Sequence, residues 1–338
     1  MPDAAPRPAL SIVVPVYNEE GNVVPLHDEL TAVATRLGRP WELLFVNDGS
    51  RDETLPRLRA LTAQNPHLRV VDLDGNFGEA SALCAGFSVA RGEVVVTLDG
   101  DGQNDPHDIP KLLAKLDEGY DVASGRRLHR EEGFFLRVLP SWVANRLIVL
   151  ATRVPAYDCG CGLKAYRRRW LEGVQLPRGF NRFLPAILGV DGTRVAEIET
   201  RDRPRGSGQS HYGFSRVLVV LRDLPSLPFL CRRRPAGRTT ASFAGVGAAL
   251  LSVGAAFAAF RLRLAPAVLA AFGAAVATAV RHNVLRFVQA REAGVFRIRR
   301  VLDGSSAAEH RDRGRGVLGQ EPAPHLPQAA FGTGRRGL

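Results

Sequence analysis

The chain has 338 residues and a formal net charge of +11, enough length for one large domain or two ordinary ones with a sizeable core. Lys111, Lys115 and Lys164 are its only lysines, so the basic excess is arginine; without a basic patch interleaved with aromatics, this argues against nucleic acid and fits an anionic membrane surface or phosphate-bearing ligands. Cys84, Cys159, Cys161 and Cys231 form no zinc-type pair and are expected as reduced thiols, and MPDAAPRPAL lacks a signal-peptide pattern, so a cytoplasmic catalytic part is expected.

Leu10–Val16 reads as a buried strand running into Pro15-Val16-Tyr17-Asn18-Glu19-Glu20. Asn18 is expected to cap the following helix, with the glutamates in its first turn. Further strands are expected over Trp41–Val46, which ends in Asn47-Asp48-Gly49-Ser50, over Leu68–Leu73 and over Glu93–Leu98. Segments 22–37, 53–64 and 78–91 have helical apolar spacing. Strands alternating with helices imply right-handed crossovers and a mostly parallel sheet. No G-x-G-x-x-G follows the first strand and no Walker A sequence is present, which disfavours a dinucleotide-binding oxidoreductase and leaves phosphate to be held by metal and arginine.

The stretch EVVVTLDGDGQNDPHDIP (93–110) carries the chemistry. A buried apolar strand ends in Asp99-Gly100-Asp101, and open α/β sheets bind ligands just past the carboxyl ends of their strands. Two such close carboxylates repel each other, and a hard divalent cation, Mg²⁺ or Mn²⁺, is the expected compensation. Asp48, at a nearby strand end, is expected to share that ligand crevice.

Together, VPVYNEEGNV (14–23), FVNDGSRDET (45–54), GNFGEASALCAGF (75–87) and DGDGQNDP (99–106) resemble the inverting family 2 glycosyltransferases of GT-A fold. SGRR (124–127), RVLPSWVAN (137–145), YDCGCGLKAYRR (157–168), NRFLPAI (181–187) and RPRGSGQSHYG (203–213) are similar to the polyprenyl-phosphate, or dolichyl-phosphate mannosyltransferase-like, branch. The resemblance implies that Pro15, Tyr17 and Glu19 line the nucleotide pocket and that Asp48 binds base or ribose. It implies that Asp99, Asp101 and Gln103 coordinate the metal on the donor diphosphate, and that Arg127, Arg137 and Ser141 hold the acceptor phosphate. Arg203, Arg205, Ser210 and Tyr212 would lie in a segment near the diphosphate. The chain departs from the family's common pattern at Gly75, Glu79 and His211, and across Gly179-Phe180-Asn181-Arg182-Phe183.

Ala241–Phe260 carries no charge and at about 1.5 Å per residue spans roughly 30 Å; Leu264–Val280 is a second uncharged run. With Arg232, Arg233, Arg234 and Arg238 before the pair and Arg281, Arg286 and Arg291 after it, a transmembrane hairpin with both ends cytoplasmic is expected. The expected organisation is a GT-A domain over 1–230, including a juxtamembrane amphipathic segment at 212–230. Two transmembrane helices follow within 239–284 (about 241–260 and 264–281), then a disordered basic tail over 303–338. The expected activity is metal-dependent, inverting transfer of a hexose from a nucleotide diphosphate sugar to a polyprenyl phosphate at the cytoplasmic face of the inner membrane, with possible homo-oligomerisation. The rival readings are a hydroxyl acceptor on a lipid or glycan and a catalytically silent sugar-nucleotide-binding membrane partner.

Overall fold

The computed structural model describes residues 8–127, 158, 160–203, 223, 226, 230 and 266–304. Arg137, Ser141, Arg205, Ser210, Tyr212 and the 241–260 run lie outside them.

The first half of the chain alternates strand and helix: β1 (Leu10–Val16), α1 (Val23–Arg36), β2 (Trp41–Asn47), α2 (Thr54–Thr62), β3 (Leu68–Leu73), α3 (Glu79–Val89), β4 (Val94–Thr97) and α4 (Ile109–Asp117). Every residue of β1, β2 and β3 is buried, as expected of strands covered on both faces. Side chains alternate between two cores. Val13, Leu44, Val46, Val71 and Leu73 face α3, whereas Ile12, Val14, Leu43, Phe45 and Val70 face α1, α2 and α4. Helix α3 lies close on the sheet because Gly86 has no side chain: a Cβ there would stand 2.4 Å from Val13 Cγ1.

The remaining strands are β5 (Val122–Arg127), β6 (Lys164–Arg167), β7 (Val195–Thr200) and β8 (Ile298–Asp303), with the short helix α5 (Leu184–Leu188) before β7. Among the described residues the sheet has eight strands in the order β7-β5-β6-β4-β1-β2-β3-β8. Strands β4, β1, β2 and β3 are mutually parallel, and β5 runs parallel to β7; β6 is antiparallel to both of its neighbours.

Strand β8 comes from the far C-terminal end and pairs antiparallel with β3, so the sheet takes an edge strand from beyond 1–230. It ends at Asp303, where the basic tail was expected to begin. Buried Asp72 receives Arg300 Nε at 3.1 Å, and Asp303 stands 3.6 Å from Arg69 Nε, fastening this edge. Helix α6 (Pro266–Ala293) starts inside the second uncharged run and continues through Arg281 and Arg286. Among the described residues no helix is long and apolar enough to cross a membrane. The second half of α6 is docked on the sheet domain. Asn283 donates to Asp223 Oδ1 (3.1 Å) and Ser226 Oγ (2.9 Å), and buried Phe287 meets Phe180 edge-on at 4.9 Å.

Candidate active site at the carboxyl edge of the sheet

Strands β1, β2 and β4 all end at one edge, and glycines let their loops approach closely. A Cβ on Gly100 would lie 2.6 Å from Val16 Cγ1 and 2.8 Å from the Pro15 carbonyl oxygen, so the Asp99–Asp101 loop rests directly on the end of β1. Gly162, just before β6, is the floor under Asp99: a Cβ there would fall 2.3 Å from Asp99 Cγ and Oδ1 and 2.4 Å from Oδ2. Thr97 Oγ1 donates to the Gly162 carbonyl at 2.9 Å and fixes that floor to β4. The Asp99 N–H donates to Asn104 Oδ1 (3.0 Å) and the Gln103 N–H to Asp101 Oδ1 (3.1 Å), while Gly102 takes φ +76 to complete the turn.

Asp99 is the carboxylate of this loop whose protonation is most perturbed among the described residues. Burial, then the nearby carboxylates of Glu79 and Asp101, push Asp99 up to about 8, against partial offsets from Lys164 and Arg127. Lys164 is buried and donates to the Cys161 carbonyl. Arg127, at the end of β5, is clamped by buried Asp158, which accepts from Nε at 2.8 Å and from Nη2 at 3.1 Å. The guanidinium is thereby held in one orientation beside the acidic loop. Two carboxylates in one loop are hard oxygen donors of the kind that suit a divalent cation.

Several expected site residues are placed in roles that spacing did not suggest. Asn18 does not cap α1. It adopts φ +55, donates its N–H to Ser50 Oγ and accepts from Arg51 N–H, stitching the β1–α1 loop to the β2–α2 loop. Glu19 joins the same seam through its N–H to Thr54 Oγ1 and accepts from Asn22 Nδ2, while Tyr17 stands exposed at the end of β1. Both oxygens of buried Asp48 accept backbone N–H groups, from Phe77 at 2.7 Å and Gly78 at 2.8 Å, so its carboxylate fastens the loop entering α3. Burial raises the Asp48 carboxyl above its ordinary range, and those two bonds and Arg178 oppose the rise.

Among the described residues, Glu29, Asp105 and His107 also converge within 4.8 Å in a metal-like grouping. A guanidinium already stands there: Arg203 forks onto Glu29 at 2.9 and 2.8 Å and reaches Asp105 at 2.6 Å. With Arg203 N–H on the Gln103 carbonyl at 2.9 Å, this clasp ties the segment after β7 to the acidic loop. Arg203 is thus an anchor for that segment, its charge committed to Glu29 and Asp105.

The site also contains Asn104, Lys164, Gly162 and Glu79, to which the sequence reading gave no site role. Glu79 accepts from Asn181 Nδ2 at 2.5 Å. Both positions stood out as departures from the common pattern, and that was their only signal.

Residues 11–174 match the family model described as Glycosyl transferase family 2. The chain is 41% identical over 227 residues to dodecaprenyl-phosphate galacturonate synthase of Rhizobium johnstonii, covering 66% of this chain and 67% of the relative. It is 37% identical over 216 residues to undecaprenyl-phosphate 4-deoxy-4-formamido-L-arabinose transferase of Shewanella sediminis, covering 64% of this chain and 65% of that relative. In fold it is similar to glucosyl-3-phosphoglycerate synthase from Mycobacterium tuberculosis. That enzyme, solved with Mn²⁺, UDP-glucose and phosphoglyceric acid, superposes with a TM-score of 0.53 at 20% identity, over 68% of this chain and 82% of that one. With the family motifs lying at the ends of β1, β2 and β4, the chain belongs to glycosyltransferase family 2.

Proposed function

We propose that this glycosyltransferase moves a hexose from a nucleotide diphosphate sugar to a polyprenyl phosphate at the cytoplasmic face of the inner membrane. Two curated relatives named as polyprenyl-phosphate sugar enzymes support the acceptor class. The observation that carries the reading is the acidic loop of Asp99 and Asp101, in which burial and neighbouring carboxylates raise Asp99, lying beside an arginine that Asp158 holds in a fixed orientation.

Asp99, Asp101 and Gln103 would hold Mg²⁺ or Mn²⁺, which supplies Lewis-acid compensation for charge on the departing nucleotide diphosphate. Pro15, Tyr17 and Glu19 border the nucleotide from the end of β1, and Asp48 shapes its pocket by holding Phe77 and Gly78. Arg205 neutralises the diphosphate. Arg127 receives the acceptor phosphate together with Arg137 and Ser141. The planar fork of an arginine matches phosphate oxygens, and a fixed orientation lowers the entropic cost of in-line attack. A phosphate monoester is largely dianionic near neutral pH, its second pKa being about 6, so it attacks without a strong general base. Direct displacement inverts the anomeric carbon.

The test is incubation of purified full chain, Mn²⁺ and a panel of sugar nucleotides with either undecaprenyl phosphate or a hydroxyl-ended glycolipid, read by the mass of the lipid product. A hexosyl undecaprenyl phosphate is expected. Transfer to the hydroxyl acceptor alone would overturn the assignment.

A further inference from the structure

Asp105 closes the acidic loop, and its carboxylate is bound from two sides. Oδ1 accepts the His107 N–H at 2.9 Å, capping the short turn Pro106–Asp108 that leads into α4, and it accepts Arg203 Nη2 at 2.6 Å. The same guanidinium forks onto both oxygens of Glu29, on α1, at 2.9 and 2.8 Å. His107 Nδ1 stands 3.0 Å from Asp105 and 3.2 Å from Glu29, completing the cluster.

The main chain follows the side chain. The Arg203 N–H donates to the Gln103 carbonyl at 2.9 Å, Asn104 pairs antiparallel with Asp202 in a single bridge, and the Arg201 N–H donates to Asp108 Oδ2 at 2.8 Å. Residues 201–203 therefore run as a splint along 103–108. Asn104 passes the restraint inward: it is buried, and its Oδ1 accepts the Asp99 N–H at 3.0 Å. From Glu29 to the Asp99 backbone the connection is continuous through Arg203, Gln103 and Asn104.

Fold stability does not account for this concentration of bonds. Arg203 and Glu29 are both partly open to solvent, and ion pairs of that kind contribute little to folding. What the clasp holds is a loop with few restraints of its own. Residues 99–105 lie outside the helices and strands, and Gly102 takes φ +76, where a glycine has many alternatives. A loop ordered before its ligand arrives loses less entropy on binding. A guanidinium suits the task because its planar fork fixes direction as well as distance. We infer that Arg203, held by Glu29, is a positioning residue for the acidic loop: it pre-orders Gln103 and Asn104, and through them the Asp99 backbone, in the arrangement that meets the cation and the donor diphosphate. This role rests on the reading of Asp99, Asp101 and Gln103 as the metal ligands. With its charge committed to Glu29 and Asp105, Arg203 acts through the loop.

The experiment compares the full chain with Arg203→Ala, Arg203→Lys and Glu29→Gln, and with the control Arg39→Ala, which breaks an exposed ion pair to Asp117 at 3.1 Å. Three quantities are measured: amide hydrogen exchange across 99–104 in metal-free protein, Mn²⁺ binding in the presence of UDP by calorimetry, and the thermal unfolding midpoint. Arg203→Ala is expected to speed exchange of the Asp99 and Gln103 amides about tenfold or more. It is expected to weaken Mn²⁺ binding about tenfold, with an unfolding midpoint within a few degrees of wild type. Glu29→Gln, which keeps the shape and loses the charge, should move both readouts the same way by a smaller factor. Arg203→Lys should restore them only in part, since lysine cannot fork. The control should leave both as in wild type. Loop exchange and Mn²⁺ affinity unmoved in Arg203→Ala and Glu29→Gln, or moved as far in Arg39→Ala, overturn the inference; should Arg203→Ala fail to fold, Glu29→Gln decides by the same criteria. Wild-type protein that binds no Mn²⁺ overturns the metal reading of the loop, and the exchange rates then decide by themselves whether the clasp orders it.

Discussion

Gly162→Ala isolates the position of one carboxylate while leaving every charge in place. The added methyl would lie 2.3 Å from Asp99 Cγ and Oδ1 and 2.4 Å from Oδ2. Comfortable carbon contacts begin near ~3.5 Å, so the carboxylate must recede by roughly 1 Å. Metal–oxygen bonds to Mg²⁺ are about 2.0–2.1 Å and tolerate little distortion, and a displacement of about 1 Å in a reacting array costs on the order of 10²-fold in rate. The Thr97 bond uses the Gly162 carbonyl rather than its Cα, so the β4 contact survives the substitution. The expected outcome is a roughly hundredfold fall in kcat, with half-saturating Mn²⁺ raised about tenfold or more, and an unfolding midpoint within a few degrees of wild type. Gly160→Ala is the control. Its Cβ would meet Arg127 Nη2 at 3.2 Å, the end of a long side chain, and Mn²⁺ dependence is expected to stay as in wild type. Turnover is measured against Mn²⁺ concentration for all three proteins. A Gly162→Ala enzyme with wild-type rate and wild-type Mn²⁺ dependence would refute the role given to Asp99.

Asp99 is raised to about 8 from an ordinary 3.8, so below about pH 8 a proton competes with metal. Mn²⁺ affinity should rise up to tenfold per pH unit and level off above about 8, and calorimetry in buffers of different ionisation heat should show proton release at pH 7 that vanishes by pH 9. Folding of the metal-free protein has the opposite slope: the stability tied to neutral Asp99 is fully present below about pH 4 and is lost as pH rises through 8, a slope that Asp99→Asn should remove from thermal melts. Asp158→Asn weakens the clamp on Arg127; acceptor KM should rise about tenfold while donor binding by calorimetry is unchanged, and an unchanged acceptor KM would count against Arg127 as the phosphate ligand. Gly86→Ala drives a methyl to 2.4 Å from Val13 Cγ1 and 3.2 Å from Val46 Cγ2, both stiff and buried; overpacking of this kind costs about 1–3 kcal/mol, measurable as a lower urea midpoint with activity retained at low temperature.

The central strands were legible because their cause is local. LSIVVPV, WELLFVN and LRVVDL are apolar runs buried on both faces, and such runs announce themselves without knowledge of neighbours. Strands β6 (KAYR) and β8 (IRRVLD) were not, since each is stabilised by pairing that only the folded chain provides. Arg300 of β8 answers Asp72 of β3 across 228 residues. The position of the acidic loop was likewise readable, as it follows directly on a buried apolar strand. The loop contacts of Asn18, Asp48 and Arg203 were not, because each side chain faces a loop brought to it by the fold: Arg51 and Ser50, Phe77 and Gly78, Glu29 and Asp105. Glu79 and Asn181 read as two unrelated departures until the structure joined them.

The most direct test is the transfer of radiolabel from a sugar nucleotide into chloroform-soluble lipid by the purified full chain given undecaprenyl phosphate. Wild-type protein should form labelled lipid with Mn²⁺ or Mg²⁺ and lose that activity on chelation, and Asp101→Ala should be at least a thousandfold slower at any metal concentration. Labelled lipid appearing at equal rate in the Asp101→Ala protein, or in wild type after complete removal of metal, would contradict a cation held by the acidic loop as the grip on the donor diphosphate.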